Sequence, residues 1–298
     1  MTMISPRRRK LVVIGNGMAV IRAVEDILAR APATFSITVF GAEPHGNYNR
    51  ILLSPVLAGE KSFADIVTHD RAWYETNGIE LIAGEPVIAI HRAGRAVTGA
   101  HGTMRPYDML LLATGSDPVR LPLPGIDLPG VVTFRDIADV ETMLAASETA
   151  GRAVVIGGGL LGLEAAHGLA KRGMAGTVLH LLPGLMERQL DPVSAGLLAD
   201  DLRGRGLEVL TEASTRAIEG TARVERVLLA DGRVLAADLV VMAVGIRANC
   251  TLAREAGLAC GRGVRVDDAM RTSDPAIFAL GECIEHRGQT FGLLIRQY

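Results

Sequence analysis

Two short apolar runs, each broken by glycine and followed by a helical pattern, organise the chain. Leu11 to Ile14 leads into Gly15, Asn16 and Gly17, and Ala153 to Ile156 leads into Gly157, Gly158 and Gly159. Continuous apolar runs of this length, bounded by glycine, suit strands buried on both faces of a parallel sheet. Beyond the first turn, Ile21, Val24, Ile27 and Leu28 recur at helical spacing and predict a helix over Ala19 to Arg30. Beyond the second, a helix of small residues is expected to reach Gly173. Ser36 to Phe40 and Thr177 to Leu182 are expected as the next strand in each half, and Tyr107 to Ala113 and Leu239 to Val244 as later buried strands. Residues 63–108 predict a helix around Trp73 and Tyr74, then short strands at Glu80 to Ala83, Pro86 to His91 and Arg95 to Val97. The proline-rich run from Pro118 to Pro129 reads as a domain crossing, and Thr272 to Glu282 as a last strand with an acidic end.

The glycines give the pattern its chemistry. Gly157, Gly159 and Gly162 fit G-x-G-x-x-G. The first glycine permits the turn, the second lets a pyrophosphate approach the backbone, and the third lets the helix pack closely on the strand. The exposed N–H groups and positive end of such a helix bind phosphates. Gly15 and Gly17 repeat the pattern about one domain length earlier, with Val20 in the third position. There the helix is expected to sit further from the strand or to shift its start. One fingerprint alone could be a glycine-rich turn of another doubly wound protein; two imply two dinucleotides.

Glu43, after the second strand, is expected beside the ribose of the first nucleotide, with a solvated loop carboxylate as the alternative. Arg50, in the run Tyr48, Asn49, Arg50 to Ser54, offers a planar fork suited to pyrophosphate, with a solvated guanidinium as the alternative. The corresponding strand end in the second half holds His180. It is neither the acid that favours NAD nor an arginine for the 2′-phosphate of NADP, and an ordinary strand-end histidine is the alternative to a ribose contact.

Composition narrows the class. With 298 residues, 49% of them hydrophobic, there is material for two cores; 31 Lys and Arg against 33 Asp and Glu point to neither nucleic acid nor a membrane surface. Cys250, Cys260 and Cys283 form no C-x-x-C pair and suit a reducing compartment. Cys283 and His286 have ligand spacing without a second pair, so no metal site is expected. Met1 to Lys10 is basic, but the apolar run behind it breaks at Gly15, too soon for a secretory signal. The expectation is a disordered start, no membrane span and a cytoplasmic protein.

Two fingerprints, ATGS at 113–116, VGIRAN at 244–249 and the T-x-x-x-x-x-F-A-x-G-E run at 272–282 resemble the two-nucleotide flavoprotein reductases. GNGMA, EPHGNYNRILLSPVLAGEK, GGGLLGLEAAHGLAKRG, MERQLD and ALGECIEHRGQTFGL are similar, more narrowly, to the FAD/NAD(P)H module of assimilatory nitrite reductase large subunits and nitrate reductase electron-transfer subunits. The resemblance implies an α/β fold with two Rossmann-like, three-layer dinucleotide-binding domains around parallel central sheets. An FAD-binding domain of residues 1–115 and 245–298 would hold an inserted NAD(P)H-binding domain, 116–244. A further flavin-contacting segment and a C-terminal interface domain, usual after Gly292, are expected to be absent.

By the same resemblance, Gly15, Gly17, Glu43 and Arg50 hold the adenosine and pyrophosphate of FAD, and Glu282 its ribityl chain. Gly157, Gly159 and Gly162 cradle the NAD(P)H pyrophosphate, and Glu164 faces the nicotinamide as the catalytic position. Met18, Ala19, Ser54, Ala113, Thr114, Gly115, Leu160, Leu161, His180, Gly245 and Gly281 complete the expected cofactor-binding set. Related ferredoxin reductases often carry a lysine after the L-S pair, facing the glutamate of the nucleotide domain; here Pro55 stands there. The implied reaction is hydride transfer from NADH or NADPH, with NADH favoured, to FAD. Electrons then pass to an iron–sulfur, sirohaem or rubredoxin-like acceptor in nitrite or nitrate assimilation. A homodimer, a rubredoxin or ferredoxin reductase, and a nucleotide-binding subunit without turnover remain open. An NADH oxidase or peroxidase would need a redox cysteine in the early helix, where none occurs.

Overall fold

The structure, a computed structural model, describes residues 7–149 and 151–291. Its core strands are β1 (Arg9–Ile14), β2 (Phe35–Gly41), β3 (Glu80–Ala83), β4 (Met109–Leu112), β5 (Val131–Val132), β6 (Arg152–Ile156), β7 (Ala175–Leu179), β8 (Glu208–Leu210), β9 (Leu239–Met242) and β10 (Ile277–Ala279). The helices used below are α1 (Met18–Arg30), α2 (Leu53–Leu57), α3 (Arg71–Thr76), α4 (Ile137–Ser147), α5 (Leu160–Lys171) and α6 (Pro192–Gly204). The α/β class follows directly from these elements.

The chain divides into two compact units. The first comprises Met1–Asn49, Val67–Asp117 and Arg247–Tyr298, and the second Arg50–Ile66 and Pro118–Ile246. This division differs from the expected domain limits chiefly in giving residues 50–66 to the second unit.

In the first unit a five-stranded parallel sheet runs β10-β4-β1-β2-β3. Ile14 lies in register with Phe40 on one side and Leu112 on the other, so the strands end together at Gly15, Gly41 and Ala113. Val20, Ile21 and Val24 of α1 cover one face with Leu11, Val13, Val39 and Tyr74. The other face packs Val12, Ile14, Leu110 and Leu112 against Val97, Tyr107, Val264 and Ile284. The second unit repeats the plan, β5-β9-β6-β7-β8, with Ile156 in register with Leu179 and Met242. In each unit a three-stranded antiparallel meander precedes the strand that pairs beside the central one: Val87–His91, Ala96–Gly99 and Met104–Pro106 before β4, and Thr215–Glu219, Arg226–Leu229 and Val234–Ala236 before β9.

Three expectations shift. Strand β7 ends at Leu179, so Leu181 and Leu182 lie beyond it and are exposed. Arg9 and Lys10 already belong to β1, so the disordered start does not extend to them; residues 1–6 lie outside the described residues, as does the end of the chain after Phe291. The proline-rich run is not bare linker, because Leu121, Leu123, Ile126 and Leu128 pack on the core of the second unit. No helix among the described residues is long and apolar enough to cross a membrane.

Near the last strands, Asp268 accepts from Arg287 Nη2 at 2.7 Å and faces His286 Nε2 at 2.8 Å. The Arg287 contact, then that of His286, holds its carboxyl down at about 2. A carboxyl depressed on folding contributes stability that is present above its ordinary value of about 4 and lost as pH falls through the folded value. Asp268→Asn should therefore melt slightly below the wild type near neutral pH, with the gap closing as pH falls from about 4 toward about 2. Thermal melts across that range check it.

Candidate functional site

Three helix starts carry an aspartate cap. Asp70 accepts from the Trp73 N–H at the start of α3, Asp136 from the Asp139 N–H at α4, and Asp191 from the Ser194 N–H at α6. The two helices behind the fingerprints do not. Gly17 caps α1 and Gly159 caps α5 with no side-chain bond, and neither helix has an acidic residue in its first turn. A Cβ at Gly17 or Gly159 would meet nothing within 4 Å. Uncapped N–H groups and an uncompensated dipole thus open onto free space, the setting an anion fills.

The first glycine of each turn is confined. Gly15 has φ +109° and Gly157 φ +125°, and a Cβ there would stand 2.1 Å from the Ala113 carbonyl oxygen and 2.2 Å from that of Ala243. At Gly162 a Cβ would lie 2.0 Å from the Gly157 oxygen. Val20 holds the corresponding place in the first unit and is fully buried. Its helix start is not shifted: Met18 follows Gly15 at the same interval as Leu160 follows Gly157.

The first turn gathers residues from distant segments. Asn16 accepts at Oδ1 from the Tyr74 hydroxyl at 2.7 Å and at its carbonyl from Asn47 Nδ2 at 2.8 Å. Burial pushes the Tyr74 phenol up to about 12, so it stays a donor. Glu43, just past β2, accepts from the Tyr48 hydroxyl at 2.7 Å. Glu282 accepts from Ser116 Oγ at 2.7 Å, and the Thr114 hydroxyl donates to the Asn249 carbonyl. Gly115 (φ +68°) closes its turn by accepting from the Asn249 N–H, and a Cβ on Gly281 (φ +79°) would lie 3.3 Å from that of Ala19 at the start of α1. Sequence reading missed Asn16, Asn47, Tyr74 and Ser116; the polar residue between Gly15 and Gly17 was the available signal. Cys283, beside Glu282, is wholly buried and its thiol is pushed up by that burial, which suits an inert packing residue.

In the second unit the ring of His180 turns into the protein. The ring is 8% exposed, and its Nδ1 accepts from the Gly158 N–H at 3.1 Å. Gly158 is glycine for this reason: a Cβ would stand 2.5 Å from Leu185 Cδ2 and 2.8 Å from His180 Cγ. Gly245 (φ +117°) follows β9 and accepts from the Val119 N–H.

Residues 50–66, with Arg50 and Ser54, belong to this same unit. Arg50 Nη1 donates to the Arg135 carbonyl at 2.9 Å. Ser54 Oγ donates to Glu164 Oε2 at 2.5 Å, so a neutral hydroxyl partners this carboxylate. Arg172 donates to the carbonyls of Leu57 and Val56, and Lys171 pairs with Glu60 at 2.6 Å. Among the described residues no group of three or more His, Cys, Asp or Glu is placed to hold a metal ion.

Gly158→Ala should lower the urea midpoint of the second unit, by about 1–3 kcal/mol in stability, as overpacking of a filled site does. Gly159→Ala, with open space at its Cβ, should leave it nearly unchanged.

Residues 9–293 match the model of the pyridine nucleotide-disulphide oxidoreductase family. The chain is 52% identical over 291 residues to the NAD(P)H nitrite reductase of Bacillus subtilis, covering 98% of this chain and 36% of that protein. It is 45% identical over 292 residues to the assimilatory nitrate reductase electron transfer subunit of the same organism, covering 98% and 38%. It thus spans little more than a third of the length of these curated relatives. Among solved structures, the ferredoxin reductase for the CYP199A2 system of Rhodopseudomonas palustris matches with a TM-score of 0.88 and 30% identity over 96% of this chain and 72% of that one. The resemblance read from the motifs holds, and the chain belongs to the pyridine nucleotide-disulphide oxidoreductase family.

Proposed function

We propose that the chain is an FAD-dependent NAD(P)H oxidoreductase, acting in the cytoplasm, that delivers electrons to a redox partner of nitrite or nitrate assimilation. The observation that carries this reading is the pair of confined glycine turns, each ending in an uncapped helix start. Two such cradles in one chain fit two dinucleotides, FAD on the first unit and NAD(P)H on the second. The nucleotides supply hydride transfer from nicotinamide to flavin, and the protein supplies binding and orientation.

On the first unit, the N–H groups of Gly17, Met18 and Ala19 take the pyrophosphate, and Glu43 and Glu282 accept hydroxyls while Tyr48 and Ser116 hold their carboxylates in place. Ala113, Thr114 and Gly115 form the neighbouring strand end, and Gly281 lets the last segment approach α1. On the second unit, the N–H groups of Gly159, Leu160 and Leu161 receive the other pyrophosphate. Glu164, one turn further along α5, is oriented by Ser54. Arg50 is held in this unit by the Arg135 carbonyl.

A second reading keeps this electron entry and changes the acceptor to a ferredoxin or rubredoxin. It is favoured by the likeness to the solved ferredoxin reductase, which matches over 96% of this chain with a TM-score of 0.88.

Protein purified without oxygen should carry a flavin spectrum that bleaches on adding NADH or NADPH. A colourless protein that neither takes up FAD nor reduces it would overturn the enzyme reading. Ser54→Ala should slow that bleaching roughly tenfold, the loss expected when a charge-assisted hydrogen bond stops orienting a reacting group. Bleaching at the wild-type rate would remove Ser54 from the site.

A further inference from the structure

In an open parallel sheet the adenine ribose lies beyond the carboxyl end of the second strand, where a carboxylate accepts its hydroxyls. The first unit has Glu43 there. In the second unit the strand end is His180, whose backbone N–H donates to the Leu210 carbonyl at the end of β8 and whose carbonyl accepts from the Ala213 N–H just beyond it. Its ring turns inward. Because Nδ1 accepts from Gly158, the ring proton sits on Nε2, and that nitrogen, buried and without a hydrogen bond, lies 3.3 Å from a Glu187 oxygen. The chain reaches this contact by doubling back at Met186, with φ +55° and its N–H on the Gly158 carbonyl at 3.0 Å. His180 is therefore committed on one side to the glycine turn, and on the other its Nε2 faces a carboxylate whose side chain is 37% exposed.

We propose that Glu187 is the ribose-hydroxyl acceptor of the second nucleotide site and selects NADH over NADPH, with His180 as the residue that positions it. This rests on the reductase reading above. The strand end lacks an outward acid of its own, and Glu187, seven residues further along, brings a carboxylate next to the His180 imidazole. Its carboxylate can accept the hydroxyls of an unphosphorylated ribose. A 2′-phosphate would set a second anion against it, and two like charges in a half-buried site repel strongly.

Calorimetric titration of the flavin-loaded protein with NAD+ and with NADP+ tests this. The wild type should prefer NAD+. Glu187→Gln should weaken NAD+ by about tenfold or more, the worth of a hydrogen bond to a charged group, while NADP+ binding holds or tightens. His180→Asn should move the NAD+/NADP+ ratio in the same direction, which a purely structural loss, lowering both together, would not do. A Glu187→Gln protein that binds both nucleotides as the wild type does, or loses both equally, overturns the inference. So does a wild type that prefers NADP+, with Arg188→Ala abolishing that preference. Wild-type protein that reduces its flavin with neither nucleotide and binds neither overturns the reductase reading along with it.

Discussion

In each unit the first glycine of the fingerprint is pressed against the backbone carbonyl at the end of the neighbouring strand. With 2.1 Å and 2.2 Å available at the Cβ positions of Gly15 and Gly157, no side chain is compatible with the strand register. That approach turns the chain sharply enough for a helix to start three residues later. It also leaves the second glycine as the cap. A glycine cap satisfies none of the first-turn N–H groups, whereas α3, α4 and α6 each satisfy one with aspartate. The binding capacity of the two cradles is thus a consequence of how tightly the strands and turns pack behind them.

The two units solve the residue between the glycines differently. In the first, Asn16 carries its own side chain to Tyr74 and receives Asn47 on its carbonyl. In the second, Gly158 contributes only backbone; His180 and Met186 come to it from the segment after β7. Either way, the turn is tied to the segment that follows the second strand, where an adenosine would rest. Val20 shows which part of the fingerprint is less constrained. A branched side chain in the third position is absorbed into the core of the first unit without moving the helix start, because the cap geometry is set by the first two glycines.

Both glycine turns, the central strands and the repeated plan were legible in the sequence because they are local: four apolar residues, a forced turn and a helical stripe need no distant partner. Glu43 and Glu282 could be placed beside their strands for the same reason, since each comes within three residues of a strand end. The ring of His180 was not legible, since its direction depends on the hollow left by Gly158 and on Leu185, neither visible from strand spacing. Asn47 and Tyr74 were also hidden, because their role is a hydrogen bond to a residue some 30 to 60 positions away.

Residues 50–66 show most clearly what spacing alone cannot supply. In sequence they sit between β2 and β3 of the first unit, yet their contacts are with α4 and α5 of the second. Helix α2 is five residues long, far too short to hold itself in water. It persists because Leu57 fills the gap over Gly168, where a Cβ would stand 2.8 Å from Leu57 Cγ, and because Arg172 gathers the carbonyls of Val56 and Leu57. The same packing aims Ser54 at Glu164 from one turn before Leu57. A missing side chain at Gly168, one turn along α5 from Glu164, is therefore what lets a segment from elsewhere in the chain supply that carboxylate with its partner.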